Sequence, residues 1–222
     1  MIFGKKKSND KNVIRFEDKD RGLVLYRYGS DPGDLPLLRN TRIFVGEGQH
    51  IVFICGNTLA DVWDWGEYRL IPDEFPLLAE KKAFPAKSGK PVNASLYYVS
   101  TDPITERKWA TKTPALVREA EQIYRVRAYG TYDYRVKDPI GFMLEAFMNR
   151  GLKNSYEVMG ALSTLLAGAF TATASEMGIP VLELINHPRE ISDLVRKKAN
   201  LQADLMGVEF LNVLIEGTSL PD

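Results

Sequence analysis

The sequence is poor in the residues that chemistry most often needs. Among 222 residues there are one cysteine and two histidines, and 29 lysines and arginines are balanced by 29 aspartates and glutamates. A single cysteine excludes a disulfide framework and fits a reducing compartment. Cys55 ends the apolar run IVFIC (51–55), which reads as a buried, inert thiol rather than a nucleophile. His50 and His187 are too few and too far apart for a zinc site, so neither a metal nor a cofactor is expected. Zero net charge counts against a general nucleic-acid binder, which carries an excess of positive charge. No secretory signal is expected, because MIFGKKK places its lysines after the apolar residues and no apolar core follows. The most apolar helical run (158–170) falls short of the roughly 20 residues that cross a bilayer, so no span is expected.

What is present is an ordinary apolar share, 45%, in two textures. Residues 22–111 hold short runs rich in β-branched and aromatic residues: GLVLYRY, TRIFVG, QHIVFIC, LADVW, EYRLI and ASLYYVS. Gly, Pro, Asn and Asp separate them, which predicts antiparallel hairpins. KKAFPAKSGKP (81–91) reads as a long exposed loop. Residues 123–136 form one long strand with Tyr124, Val126, Ala128, Tyr132, Tyr134 and Val136 on one face, kinked or bulged at Gly130. Asp138-Pro139 supplies an N-cap and a first-turn proline for a helix ending near Gly151. A second helix carries Val158, Leu162, Leu165, Leu166, Ala169 and Phe170. A third carries Ile191, Leu194, Val195, Leu201 and Leu205, closed by Gly207. GVEFLNVLIEG (207–217) returns to strand. The boundaries are a basic tail (1–14), a β-rich part (15–113) and an α/β part (114–222), with a soft break near Thr113-Pro114. Pro221 reads as the opening of a further helix, so the chain is expected to stop at a domain edge.

Several clusters invite a chemical reading. Asp61, Asp64 and Glu67 beside Trp63 and Trp65 have the residue types of a glycosidase, acids for proton transfer and aromatics for sugar stacking. Asp64-Trp65-Gly66 is also what a hairpin turn uses, and that reading is preferred, with the tryptophans as packing residues. Gly46-Glu47-Gly48 leads from strand to strand, so it is a turn and not a dinucleotide fingerprint. His187, Pro188 and Glu190 have the spacing of a helix start. Arg125, Arg127 and Arg135 with Tyr129 form a face for phosphate or single-stranded RNA; the alternative is a solvated face whose arginines pair with neighbouring carboxylates. Ile2 and Phe3 beside Lys5, Lys6 and Lys7 are the candidate contact with an anionic membrane, each lysine contributing about 1 kcal/mol near the surface.

Three segments carry a family resemblance. VGEGQHIVFICGNTLADVWDWGEYRLIP (45–72) resembles the entry signature of the SPFH family (stomatin, prohibitin, flotillin, HflK and HflC), with Trp65 where a proline is usual. KWATKTPALV (108–117) and VRAYGTYDYRVKDPIGFM (126–143) are similar to a bacterial branch often labelled virion core protein, with Ala110 where glycine is usual. GVEFLNVLIEGTSLP resembles the strand before the family's coiled-coil helix. The resemblance implies an α+β SPFH domain: an antiparallel β-rich first subdomain, then strand, three helices and strand. It implies a non-enzymatic scaffold, peripheral to the inner, cytoplasmic face of the cell membrane, that self-associates and recruits membrane-remodelling or envelope-stress partners. The expected partner surface is an anionic membrane or a membrane-bound protein. The alternatives are a β-rich hydrolase using Asp61, Asp64 or Glu67 and a nucleic-acid platform on the Arg125/Arg127 face.

Overall fold

The computed structural model describes residues 13–17, 22–30, 34–87, 89–152, 154–176 and 178–220. The chain divides into two compact units, Met1–Ser100 and Thr101–Asp222.

Unit 1 runs β1 (Val13–Arg15), β2 (Leu25–Arg27), β3 (Arg42–Val45), β4 (Gln49–Cys55), β5 (Thr58–Trp63), β6 (Gly66–Arg69), α1 (Pro76–Glu80) and β7 (Ser95–Ser100). β1, β3 and β6 make one sheet; β2, β7, β4 and β5 make another, in those orders. Their inward residues and α1 share a core that includes Ile14, Ile43, Ile51, Phe53, Phe75, Leu78 and Leu96. Each such side chain contributes about 1.5–3 kcal/mol by leaving water. Two features differ from the expected hairpins. β1 pairs with β3 in parallel. β5 and β6 belong to different sheets, so Asp64-Trp65 turns a corner between sheets and is not a hairpin turn. The 81–91 stretch is mostly exposed, as expected, but Ala83 is buried and bonds through its backbone to Leu78 and Asn93.

Unit 2 runs β8 (Ile104–Ala110), β9 (Ala115–Glu119), β10 (Gln122–Val136), α2 (Pro139–Phe142) with a π-helical continuation (Met143–Asn149), α3 (Ser155–Glu176), α4 (Val181–Asn186), α5 (Pro188–Ala203), a 3₁₀ turn (Asp204–Met206) and β11 (Val208–Ser219). β10 is the spine: β11 lies on one side, β8 on the other, and β9 pairs with its first residues. Because β8 and β9 pair with β10, residues 104–119 belong to this unit. The alternation expected along β10 holds, with Val126, Ala128, Tyr132, Tyr134 and Val136 buried. Asp138 caps α2 by accepting from the Ile140 N–H at 3.1 Å, ahead of Pro139. α3 packs through Val158, Leu162, Leu166 and Phe170. At 22 residues it is long and apolar enough to cross a membrane, which the 158–170 run alone is not; here its apolar stripe lies in the core of unit 2. The stripe of α5 is Ile191, Val195, Ala199 and Ala203, whereas Leu201 and Leu205 face solvent.

The β10–β11 ladder contains two irregularities, between Tyr129 and Gly130 and between Asp133 and Tyr134. At the first, a Cβ on Gly130 would stand 1.9 Å from the Leu214 carbonyl oxygen, so only glycine fits. Both irregularities are stitched to α5. The Ile215 N–H donates to Ser192 Oγ at 2.9 Å, and the Phe210 N–H donates to Asn200 Oδ1 at 2.8 Å. Ser192 and Asn200 stand two turns apart on one helix face, so each supplies an acceptor where the ladder is interrupted.

Candidate functional site

Asp61, Asp64 and Glu67 each have a structural partner. Asp61 is buried, and its two carboxylate oxygens accept from the backbone N–H groups of Leu77, at 3.2 Å, and Leu78, at 2.8 Å. It therefore caps the start of α1 from another strand. Asp64 accepts from the Tyr68 hydroxyl at 3.2 Å. Glu67 is held by Arg42, whose side-chain hydrogen bond keeps its carboxyl below the usual range. Three acids with three separate tasks do not form the pair across an open cleft that glycoside hydrolysis requires. Trp63 packs against Tyr68 and Phe75, but Trp65 is 68% exposed and packs far less than expected.

The remaining sequence candidates resolve as follows. Gly46–Gly48 is a turn closed by the Gln49 N–H on the Gly46 carbonyl. Cys55 is half-buried rather than buried, and its thiol donates to the Asn93 carbonyl at 3.4 Å. His50 lies in β4, and burial holds it below its ordinary range while Asp64 pulls the other way. His187 is exposed at the start of α5, with Pro188 in the first turn and Glu190 3.8 Å away. No three of His, Cys, Asp and Glu are placed to hold a metal among the described residues. Ile2, Phe3, Lys5, Lys6 and Lys7 lie outside the described residues.

Unit 2 offers two surfaces. The first is the outer face of its sheet, where β10 exposes Ile123, Arg125, Arg127 and Tyr129, with Leu116 of β9 beside Arg125. Arg135 pairs with Glu209 at 2.8 Å, as a solvated face would have it. Among the described residues, Arg125 and Arg127 have no carboxylate partner, and there the expected pairing fails.

The second surface was not marked in the sequence. β8 is an edge strand, and its register on β10 shifts between Tyr132 and Tyr134. Glu106 absorbs the shift with φ +58°, a left-handed conformation unusual for a side-chain-bearing residue, and its N–H donates to Asp133 Oδ1 at 2.8 Å. Arg107 then stands opposite Tyr132 and two residues before the buried Trp109, on the helix-covered side of the sheet. Between β8 and α3 lies an open cleft of about 510 Å³, lined by Glu106, Arg107, Lys108, Tyr132, Met159, Gly160 and Ser163. The Tyr132 hydroxyl donates to the Met159 carbonyl at 3.3 Å. Burial pushes that phenol up to about 12, with the Arg107 guanidinium opposing. Burial likewise raises Tyr134, whose hydroxyl has no partner. Arg107 Nε is shut off from solvent and has no acceptor, and no carboxylate among the described residues pairs with the guanidinium. A buried donor normally has an acceptor, so an unanswered Nε–H beside an open cleft marks the place.

Residues 34–222 match the family model described as the SPFH domain-Band 7 family, and no curated protein sequence matches the chain. Proteins of that family are membrane-associated scaffolds that self-associate, and they are generally non-enzymatic.

Proposed function

The chain belongs to the SPFH domain-Band 7 family, and from that premise we propose that it is a non-enzymatic scaffold domain, peripheral to the cytoplasmic face of the cell membrane, that oligomerises and recruits partner proteins. The envelope-stress response and membrane remodelling are the processes it would serve. The observation that carries this reading is the family match over residues 34–222. The geometry adds that the acids with catalytic potential are committed to folding contacts, while charged groups of unit 2 stand open toward a partner. Contact with the anionic surface falls to Ile2, Phe3, Lys5, Lys6 and Lys7. Co-flotation of residues 1–222 with neutral and with anionic liposomes tests this. Binding to anionic vesicles that disappears when Lys5, Lys6 and Lys7 are changed to Ala supports the contact. Absence of flotation in both cases sinks it and moves the membrane role to a protein partner.

The unpaired Arg125 and Arg127 beside the 54%-exposed Tyr129 favour one second reading, a single-stranded nucleic-acid platform on the outer face. Its signature is oligonucleotide binding that weakens with salt and is lost in Arg127→Ala; no binding at low salt removes it.

A further inference from the structure

We propose that the free edge of β8, with the cleft beside α3, is a docking groove for an extended peptide that adds to the sheet as a further strand and places a carboxylate on Arg107. The proposal rests on the scaffold reading and names the chemistry of one recruited partner.

Four observations converge on it. β8 ends its sheet, so one row of its backbone N–H and C=O groups has no strand partner among the described residues. The groove alongside, about 510 Å³, is of a size that takes a short segment of chain or a drug-sized ligand. Its floor offers apolar contact at Met159, and the open space over Gly160 would leave a Cβ there with nothing within 4 Å. Arg107 supplies a guanidinium whose Nε is buried without an acceptor and which pairs with no acid among the described residues, and a carboxylate matches its paired donors best.

An inorganic anion would answer only the last of these. It would leave the edge amides and the apolar floor unused, whereas an added strand satisfies the edge, places alternate side chains toward α3 and brings one of them to Arg107. Glu106 on the same lining works against a second acid close to the first, so the segment should carry one acid among apolar neighbours rather than an acidic run. The carboxylate is either a side chain or a chain terminus.

The probe is a displayed library of random octapeptides selected against the 222-residue chain. Enriched sequences are then synthesised with blocked ends and with a free C-terminus, and measured by fluorescence anisotropy. The expected result is a shared Asp or Glu, or a shared dependence on the free terminus, with alternating apolar residues. Arg107→Ala should weaken binding on the order of tenfold or more, and Arg107→Lys should retain part of it. Gly160→Phe, whose Cβ meets nothing within 4 Å and whose ring would occupy the groove, should abolish binding. Hydrogen exchange at the β8 amides should slow when peptide is added. The proposal is overturned by failure to enrich any peptide, by enriched peptides lacking a carboxylate dependence, or by binding that both Arg107→Ala and Gly160→Phe leave unchanged. Displacement by inorganic phosphate without any effect on β8 exchange also overturns it, in favour of a simple anion subsite. Self-association through β8 that is lost in the same variants overturns it in favour of a second copy. Liposome flotation of the parent chain separates the two readings: flotation without peptide binding keeps the membrane contact and removes the groove, and peptide binding without flotation keeps the groove and moves the membrane role to a protein partner.

Discussion

Asp61 and Arg107 are both charges set toward the covered side of a sheet, and they stand in opposite conditions. Asp61 has both oxygens filled by the amides that open α1, so its charge is spent inside unit 1. Arg107 has lost solvent at Nε, which has no acceptor among the described residues. The segment that looked most like chemistry, with acids and tryptophans close together, is bound up in its own architecture. The one that looked like an ordinary charged strand holds the unanswered group. A buried donor left without an acceptor tells more about recognition than a cluster of satisfied charges.

The comparison can be broken or sharpened by substitution. The largest effect is expected at the settled position of unit 2: Gly130→Ala would drive a methyl group into the Leu214 carbonyl and cost about 3 kcal/mol or more, read by urea unfolding with the buried Trp109 as reporter. Next comes Asp61→Ala, which leaves two amides of α1 without acceptors and should cost about 2–3 kcal/mol in the same measurement. A loss below about 0.5 kcal/mol would mean that Asp61 is no more committed than Arg107.

Alkaline pH tests the lining of the cleft. Tyr132 ionises near 10 when unfolded and near 12 when folded, so above pH 10 the unfolded chain releases a proton that the folded chain keeps. Stability is therefore fully present below pH 10 and falls as pH rises toward 12, by at most about 1.4 kcal/mol per pH unit for this group. Tyr132→Phe should flatten that slope in unfolding curves recorded at pH 10 and 11, while Tyr98 and Tyr134, raised in the same direction, sustain the remainder. The smallest effect is the most telling. Arg107→Met should change stability by less than about 1 kcal/mol, in either direction, because no internal ion pair is lost. A cost of about 3 kcal/mol would show that the guanidinium is structurally engaged after all.

Much of the fold is readable where neighbours in sequence decide it. The alternation along β10, the break at Gly130, the Asp138-Pro139 helix start and the Pro188–Glu190 turn are all local patterns, and each is found in place. β8 escapes because its bulge interrupts the period of two, so ITERKWA alternates on neither face. α1 and α4, of five and six residues, are too short to show a helical period. Nothing in the composition of MLEAFMN distinguishes a π-helix from an α-helix. The site is harder still. The use of Asp61 depends on a helix that reaches it through the fold, and the isolation of Arg107 is the lack of a paired acid among the described residues, which no spacing of residues encodes.

The long β10–β11 ladder also governs how unit 2 assembles. It joins Val136 to Val208 at one end and Arg127 to Ser219 at the other, so the helices α2 to α5 must be threaded between two strands that cannot pair until late. Closing so long a loop is entropically slow, and contacts this remote in sequence place the unit among slow folders. Until β11 arrives, Ser192 and Asn200 have no strand amides to receive, and β10 presents a second open edge beside the permanent one at β8. The window before closure is when this chain is most exposed to pairing with the wrong strand.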